Sequence, residues 1–262
     1  FEHAETKVLL TDREFSPLIK ETLAKVKRKI LVIDIDDPET ESGEFLGELE
    51  YEDFLAEGNS DFEAVLPEDD WQAVSLNYTS GTTGHPKGVK SGLSQTGAPV
   101  DVLKMIGEGI SGMLGIASGG KSLLVGPVYH SAQWAFSFLP LLAGTSVVMR
   151  HKFDGEEVLR LIDQYQITNT HLVPTQFTRM LRLGDGIRKT FDGSSRGVVW
   201  HGAAPCPPQI KRRMIEWWGP VINEYYGSTE GSIVTTVSSE DWLSRPGTLG
   251  KPVAIMEILV IK

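Results

Sequence analysis

Apolar and polar positions alternate along the chain with two periods, and the switch between them predicts a succession of strands and helices. Lys7-Val-Leu-Leu and Ile30-Leu-Val-Ile-Asp-Ile are short, β-branched runs that read as strands. Between them Phe15, Leu18, Ile19, Leu23 and Val26 recur at steps of three and four, which is one face of a helix. Thr11 with Glu14 fits a capping box for that helix, and Ser16-Pro17 offers a second start. Further strands are expected at 73–78, 122–125, 146–149, 168–173, 197–200, 221–225 and 257–261. Helices are expected at 100–114, 132–142, 156–165, 175–183 and 208–217. Asp154 is placed to cap the third of these, with Glu157 three positions on, and Pro207-Pro208 to open the last. Apolar strands alternating with helices predict an α/β protein with mostly parallel sheets flanked by helices. Residues 1–72 read as a βαβ segment followed by an acidic connection, and 73–262 as an α/β core.

Charge changes this picture in one place. The chain carries 35 acidic and 25 basic residues, a formal balance of −10. From Asp34 to Asp70 there are 16 Asp or Glu and no Lys or Arg, which leaves +6 on the remainder. So dense a run of one sign favours a solvated segment, although Phe45, Tyr51 and Phe54 within it argue for contact with a surface. The balance argues against a nucleic-acid partner held by a net positive field. It leaves the remainder free to host an anionic ligand.

The lone Cys206 forms no internal disulfide, which points to a reducing, cytoplasmic setting. The most apolar stretch, 134–149, is too short and too interrupted by Ser137, Pro140, Gly144, Thr145 and Ser146 to cross a bilayer. The chain opens on Phe1 and stops at Lys262 inside a strand-like run, so it reads as part of a longer protein.

The chemistry concentrates after the strand at 73–78, in Tyr78-Thr-Ser-Gly-Thr-Thr-Gly-His-Pro-Lys-Gly-Val89. Glycines let backbone N–H groups face an anion, Ser80, Thr82 and Thr83 add hydroxyl donors, and Lys87 adds a positive charge. This composition suits a polyphosphate; taken without its order, it is also that of a flexible linker. A Walker A loop, and with it a P-loop hydrolase, is disfavoured because Lys87 follows Pro86 and precedes Gly88.

In its order of residues this segment resembles the phosphate-binding signature of the adenylate-forming, AMP-binding enzymes. Three more segments agree in sequence: Pro127-Val-Tyr-His130, Trp200-His-Gly-Ala-Ala-Pro205 and Glu224-Tyr-Tyr-Gly-Ser-Thr-Glu230. Gly247-Thr-Leu-Gly-Lys-Pro252 resembles the segment that follows them. Within the superfamily the chain is most similar to bacterial fatty-acyl-CoA synthetases, through His171-Leu-Val-Pro-Thr-Gln-Phe and His201-Gly-Ala-Ala-Pro-Cys-Pro. The resemblance implies the central part of the large N-terminal domain of that fold. The family's ribose-binding aspartate, hinge and lysine-bearing C-terminal domain are absent from this chain, and Lys90–Gly97 stands where most relatives carry a histidine-containing segment.

The resemblance also implies roles. ATP and Mg²⁺ would be bound, coenzyme A would be a co-substrate, and a small carboxylic acid would be activated. Thr79, Ser80, Gly81, Thr82, Thr83, Gly84 and Lys87 would cradle the β- and γ-phosphates. Thr229 would donate to the α-phosphate, and Glu230 would hold the metal, a hard cation that favours oxygen ligands. Tyr225 and Tyr226, with Gly227, would stack on adenine, while Gly202, Ala203 and Ala204 leave room for the flat base. Two adjacent tyrosines taken alone are equally strand-end packing. His130 would meet the acid's carboxylate, although a lone histidine there also suits a hydrogen-bonded core position. Trp134, Phe136, Phe138 and Trp200 would line the acyl site or simply form core. Cys206, between two prolines, reads as structural. The alternatives within this chemistry are an acyl-AMP or aryl-acid ligase; outside it, a truncated fragment that binds ATP or AMP without turnover. If these residues were the whole polypeptide, weak ATP binding and little turnover would be expected.

Overall fold

The computed structural model describes residues 1–2, 4–38, 40, 42–59, 61–62, 76–79, 87–90, 100–229 and 231–259, and of 76–79, 87–90 and 100 the backbone alone. The chain divides into two units, Phe1–Leu66 and Pro67–Lys262.

In the first unit β1 (Val8–Asp12), α1 (Ser16–Leu23) and β2 (Leu31–Ile35) are followed by β3 (Leu49–Glu50) and α2 (Tyr51–Ala56). The three strands pair in parallel in the order β1-β2-β3. The expected start of the first helix is corrected. Asp12, not Thr11, accepts the Glu14 amide, and it caps a short 3-10 turn that runs into α1 at Ser16-Pro17. The acidic stretch is also more than a solvated connection. The buried Asp34 carboxylate accepts the Leu46 and Gly47 amides at 2.9 and 2.6 Å, which turns the chain back into β3. Glu50 caps α2 through the amides of Glu52 and Asp53, whose own charges favour a helix N-terminus.

The second unit begins with an antiparallel pair, β4 (Leu76–Thr79) and β5 (Lys87–Lys90). Then come α3 (Val100–Met113), β6 (Lys121–Leu124), α4 (Ser131–Leu142), β7 (Ser146–Met149), α5 (Gly155–Tyr165) and β8 (Asn169–Leu172). The chain continues through α6 (Pro174–Leu181), α7 (Asp185–Thr190), β9 (Val198–His201), α8 (Pro208–Trp218) and β10 (Ile222–Ser228). It closes with β11 (Ser232–Val237), α9 (Ser239–Ser244) and β12 (Lys251–Pro252). Seven strands form one sheet in the order β12-β11-β10-β9-β8-β6-β7. From β10 to β7 all pairs are parallel, whereas β11 and β12 are antiparallel additions at the edge.

Helices cover both faces, as apolar parallel strands require. On one face α5, α6 and α8 bury Val158, Ile162, Phe177, Met180, Met214 and Trp218 against Leu172, Val199 and Ile222. Fully shielded side chains such as Ile162 and Leu172 each contribute roughly 1.5–3 kcal/mol by leaving water. The neighbouring strand positions Val198 and Trp200 point to the opposite face, where they meet Leu114, Ile116 and Phe136. Asp154 caps α5 as expected, accepting the Glu157 amide at 2.9 Å.

Other expectations shift. The helix expected to reach Leu183 stops at Leu181, and Gly184 opens a separate α7. β5, β11, α9 and β12 arise where no element was expected. The strand expected at 257–261 is absent over 257–259; the rest of it, like 73–75 of the earlier strand, lies outside the described residues.

Candidate functional site

Parallel strands present their carboxyl ends along one edge of the sheet, and ligands of open α/β sheets bind there, near the point where strand order reverses. Here β6 lies between β7 and β8, so the order reverses at β6. The segment 125–130 leaves the carboxyl end of β6, 202–205 leaves β9, and Thr229 follows β10. Three segments well separated in sequence therefore reach the same edge.

His130 caps α4: its Nδ1 accepts the Ala132 amide at 3.2 Å. A neutral imidazole in that arrangement carries its proton on Nε2, which is thereby a donor. The next residue, Ser131, meets Thr229 with the two hydroxyl oxygens 3.3 Å apart. Two residues singled out from sequence are thus joined through a third, Ser131, whose only sequence signal is that it adjoins His130.

The two tyrosines part company. Tyr226 is 55% exposed, whereas Tyr225 turns inward, as alternation along a strand requires. The Tyr225 hydroxyl lies 3.0 Å from His171 Nε2, and His171 Nδ1 lies 2.9 Å from Gln133 Nε2 on α4. Its ring sits 5.6 Å from that of Phe136, and burial pushes its phenol pKa up. Burial, with some help from His130, holds His171 down to about 3, so this imidazole is neutral. The space at Gly202 is taken by the same ring: a Cβ there would lie 2.6 Å from Tyr225 ring carbons. Ala203 and Ala204 are exposed beyond it, and Ala203 holds the left-handed φ of +66°.

Behind this edge lies a cluster absent from the sequence-based expectations. Lys211 on α8 is completely buried, and its ammonium donates to Glu224 of β10 at 2.6 Å and lies 4.9 Å from the Trp242 ring. Desolvation lowers the Lys211 pKa against the pull of Glu224. His201 Nε2 stands 3.7 Å from the same carboxylate, and burial together with Lys211 holds this imidazole well below its usual value. The available signal was a lysine at 211 in step with Met214, Ile215 and Trp218, the buried face of α8. Burial and Glu224 push Cys206 up to about 11, consistent with a structural thiol.

The aromatic stripe of α4 is split. Phe136 packs inward on His171 and Trp200, while Trp134 and Phe138 stack on each other at 4.8 Å. Trp200 also donates its indole N–H to the Leu114 carbonyl at 2.8 Å.

The β4–β5 pair sets Thr79 opposite Lys87 in register. Ser80, Gly81, Thr82, Thr83 and Gly84, which join the strands, lie outside the described residues, as does Glu230. Among the described residues no group of three His, Cys, Asp or Glu side chains could hold a metal. Nor, among them, is any helix long and apolar enough to cross a membrane.

Comparison with known proteins adds to this geometry. The model of a family described as AMP-binding enzyme matches residues 1–262. The chain is 30% identical over 252 residues to a 3-methylmercaptopropionyl-CoA ligase of Ruegeria pomeroyi, covering 94% of this chain and 44% of that protein. It is 28% identical over 274 residues to a medium-chain-fatty-acid–CoA ligase of Ectopseudomonas oleovorans, covering 99% and 48%. The chain thus spans less than half the length of these curated relatives. In fold it is similar to O-succinylbenzoate coenzyme A synthetase from Bacillus subtilis, solved with ATP and magnesium. That match has a TM-score of 0.68 at 23% identity and covers 97% of this chain and 46% of that one.

Proposed function

The chain belongs to the AMP-binding enzyme family, whose members among its relatives are CoA ligases, and from that premise we propose that it carries the nucleotide side of an acid–CoA ligase site. The reaction is activation of a carboxylic acid, in our reading a fatty acid, by ATP, followed by transfer of the acyl group to coenzyme A. A carboxylate oxygen attacks the α-phosphorus, the bond to the β-phosphate breaks, and pyrophosphate leaves with its electron pair. The coenzyme A thiolate then attacks the acyl carbon and AMP departs. Both reactants of the first step are anions, so donors and cations at the site must offset their repulsion.

The observation that carries this reading is the convergence of Ser131 and Thr229, 98 positions apart, at 3.3 Å beside His130. Thr229, three positions after the outward-facing Tyr226, supplies a hydroxyl to the α-phosphate. Tyr226, Ala203 and Ala204 offer the exposed flat surface against which adenine stacks. His130, with Nε2 free to donate, orients the incoming carboxylate. Lys87 and the residues from Thr79 to Gly84 hold the β- and γ-phosphates, with Glu230 the residue for Mg²⁺. When bound, that ion screens phosphate charge. A cytoplasmic setting and a small-molecule partner complete the reading.

The test is AMP release by the whole protein from ATP and magnesium across a panel of fatty and aromatic acids, with and without coenzyme A. AMP release that requires both a fatty acid and coenzyme A supports the proposal. Adenylate formation that coenzyme A never discharges would favour a carrier-protein acceptor, and turnover confined to aromatic acids would favour an aryl-acid ligase. No acid-dependent AMP with any substrate would overturn it.

A further inference from the structure

The pairing of β10 with β9 ends early. Its parallel register runs from Ile222 opposite Val199 to Glu224 opposite His201 and goes no further. Beyond that point β10 is held on the other side by β11, and there the ladder slips by one residue between Tyr226 and Gly227. Tyr226, read above as facing the nucleotide, therefore sits where β10 is paired on the β11 side alone, and Thr229 follows that stretch. On the β9 side, side chains must supply the restraint.

Tyr225 has the contacts to do so. Its ring lies over Gly202, where no Cβ would fit, and so touches the loop that carries Ala203 and Ala204. Its face meets Phe136 of α4, and its hydroxyl meets His171 of β8, which is 2% exposed. His171 in turn bonds Gln133, also on α4, whose first turn carries Ser131 and follows His130. A neutral imidazole donates from one nitrogen and accepts at the other, so the links from Gln133 to His171 to Tyr225 can form in either orientation of the amide, although Gln133 Oε1 is buried without a partner of its own. One side chain thus touches the 202–205 loop directly and meets α4, the helix that begins beside His130, through Phe136.

We infer that Tyr225, oriented by His171 and Gln133, is the positioning residue that sets Tyr226 and Thr229 at their distance from His130. This rests on the reading of Tyr226 and Thr229 as nucleotide-facing. Tyr225 itself contacts no substrate; it acts through the roll of β10.

The test separates position from stability. ATP affinity of the full chain is measured by calorimetry with magnesium present, well below the lowest unfolding midpoint of any variant, beside thermal unfolding of each. Tyr225→Phe removes one hydroxyl and strands the His171 nitrogen, so both affinity and midpoint fall. His171→Leu/Tyr225→Phe removes this pair and leaves only the Gln133 amide unmet, so the midpoint recovers in part toward the wild-type value. Its ATP affinity is expected to stay about fivefold to tenfold weak, the scale of one hydrogen bond. Thr229→Val serves as the control and weakens ATP binding on its own. If Thr229→Val weakens binding but the double variant binds ATP as the wild type does, the chain only supports the fold and the inference is overturned. If Thr229→Val and Tyr226→Ala both leave binding unchanged, the reading of the site fails and the inference with it.

Discussion

Replacing Lys211 by Met removes the ammonium from a pair with no exposure on one side and 7% on the other, leaving the Glu224 carboxylate among apolar neighbours. Two groups stand near enough to compensate. His201 at 3.7 Å is held neutral by burial, and the electron-rich face of Trp242 does not stabilise an anion. Breaking one side of such a buried pair costs about 3–5 kcal/mol, a large share of the roughly 5–15 kcal/mol that holds a protein folded. The midpoint should fall by about 6–20 °C, at roughly 2–4 °C per kcal/mol for a domain of this size. Lys211→Met/Glu224→Leu removes both charges and keeps the volume. It should recover most of the loss, because the desolvation that opposes the pair disappears with it. Urea unfolding followed by far-ultraviolet circular dichroism measures both variants, with the slope on denaturant checked for constancy. A Lys211→Met variant within about 1 kcal/mol of the wild type, or a double variant no more stable than the single one, would refute the reasoning.

Three further predictions can be checked on the isolated chain. Because burial holds His171 down to about 3 from 6.5, the unfolded chain takes up its proton first as pH falls. Stability is therefore lost from pH 6.5 downward, by about 2 kcal/mol at pH 5 from this group, and His171→Leu/Tyr225→Phe should show a shallower acid slope in unfolding titrations. Gly202→Ala forces a Cβ against the Tyr225 ring and should cost about 1–3 kcal/mol, most of which vanishes in a Tyr225→Leu background; equal cost in both backgrounds would deny the contact. Cys206, pushed up to about 11, should react slowly with iodoacetamide at pH 8, where about one thiol in a thousand is ionised, and rapidly once unfolded; fast reaction in the native state would contradict its burial.

The pattern of strands and helices was legible because burial on both faces demands apolar runs, and because caps such as Asp154 with Glu157 are local. What escaped has local causes of its own. α9 has six residues, too few for a helical period to show, and rests on the Ser238 cap that accepts the Asp241 amide. β11 pairs antiparallel with β10 but skips Val234, which breaks the alternation along β11. Which of the adjacent Tyr225 and Tyr226 faces outward depends on which face of β10 is covered, and that is set by other elements. Lys211 was unreadable as a core residue because its partner Glu224 is 13 positions away on another element. Motif order, by contrast, singled out His130, Gly202 and Thr229 without any knowledge of the sheet, and the structure adds that each follows the carboxyl end of a parallel strand. What motif order could not supply is the set of contacts between them: Ser131 on Thr229, and Tyr225 on Gly202 and His171.

The central claim, that this carboxyl edge together with the Thr79–Lys87 segment binds ATP, is tested most directly by titrating ATP and magnesium into the chain in a calorimeter. The account predicts weak, saturable binding at one site, reduced by Lys87→Ala and by Thr229→Val, with AMP competing for the same site. Absence of binding, or binding that neither substitution alters, would contradict it.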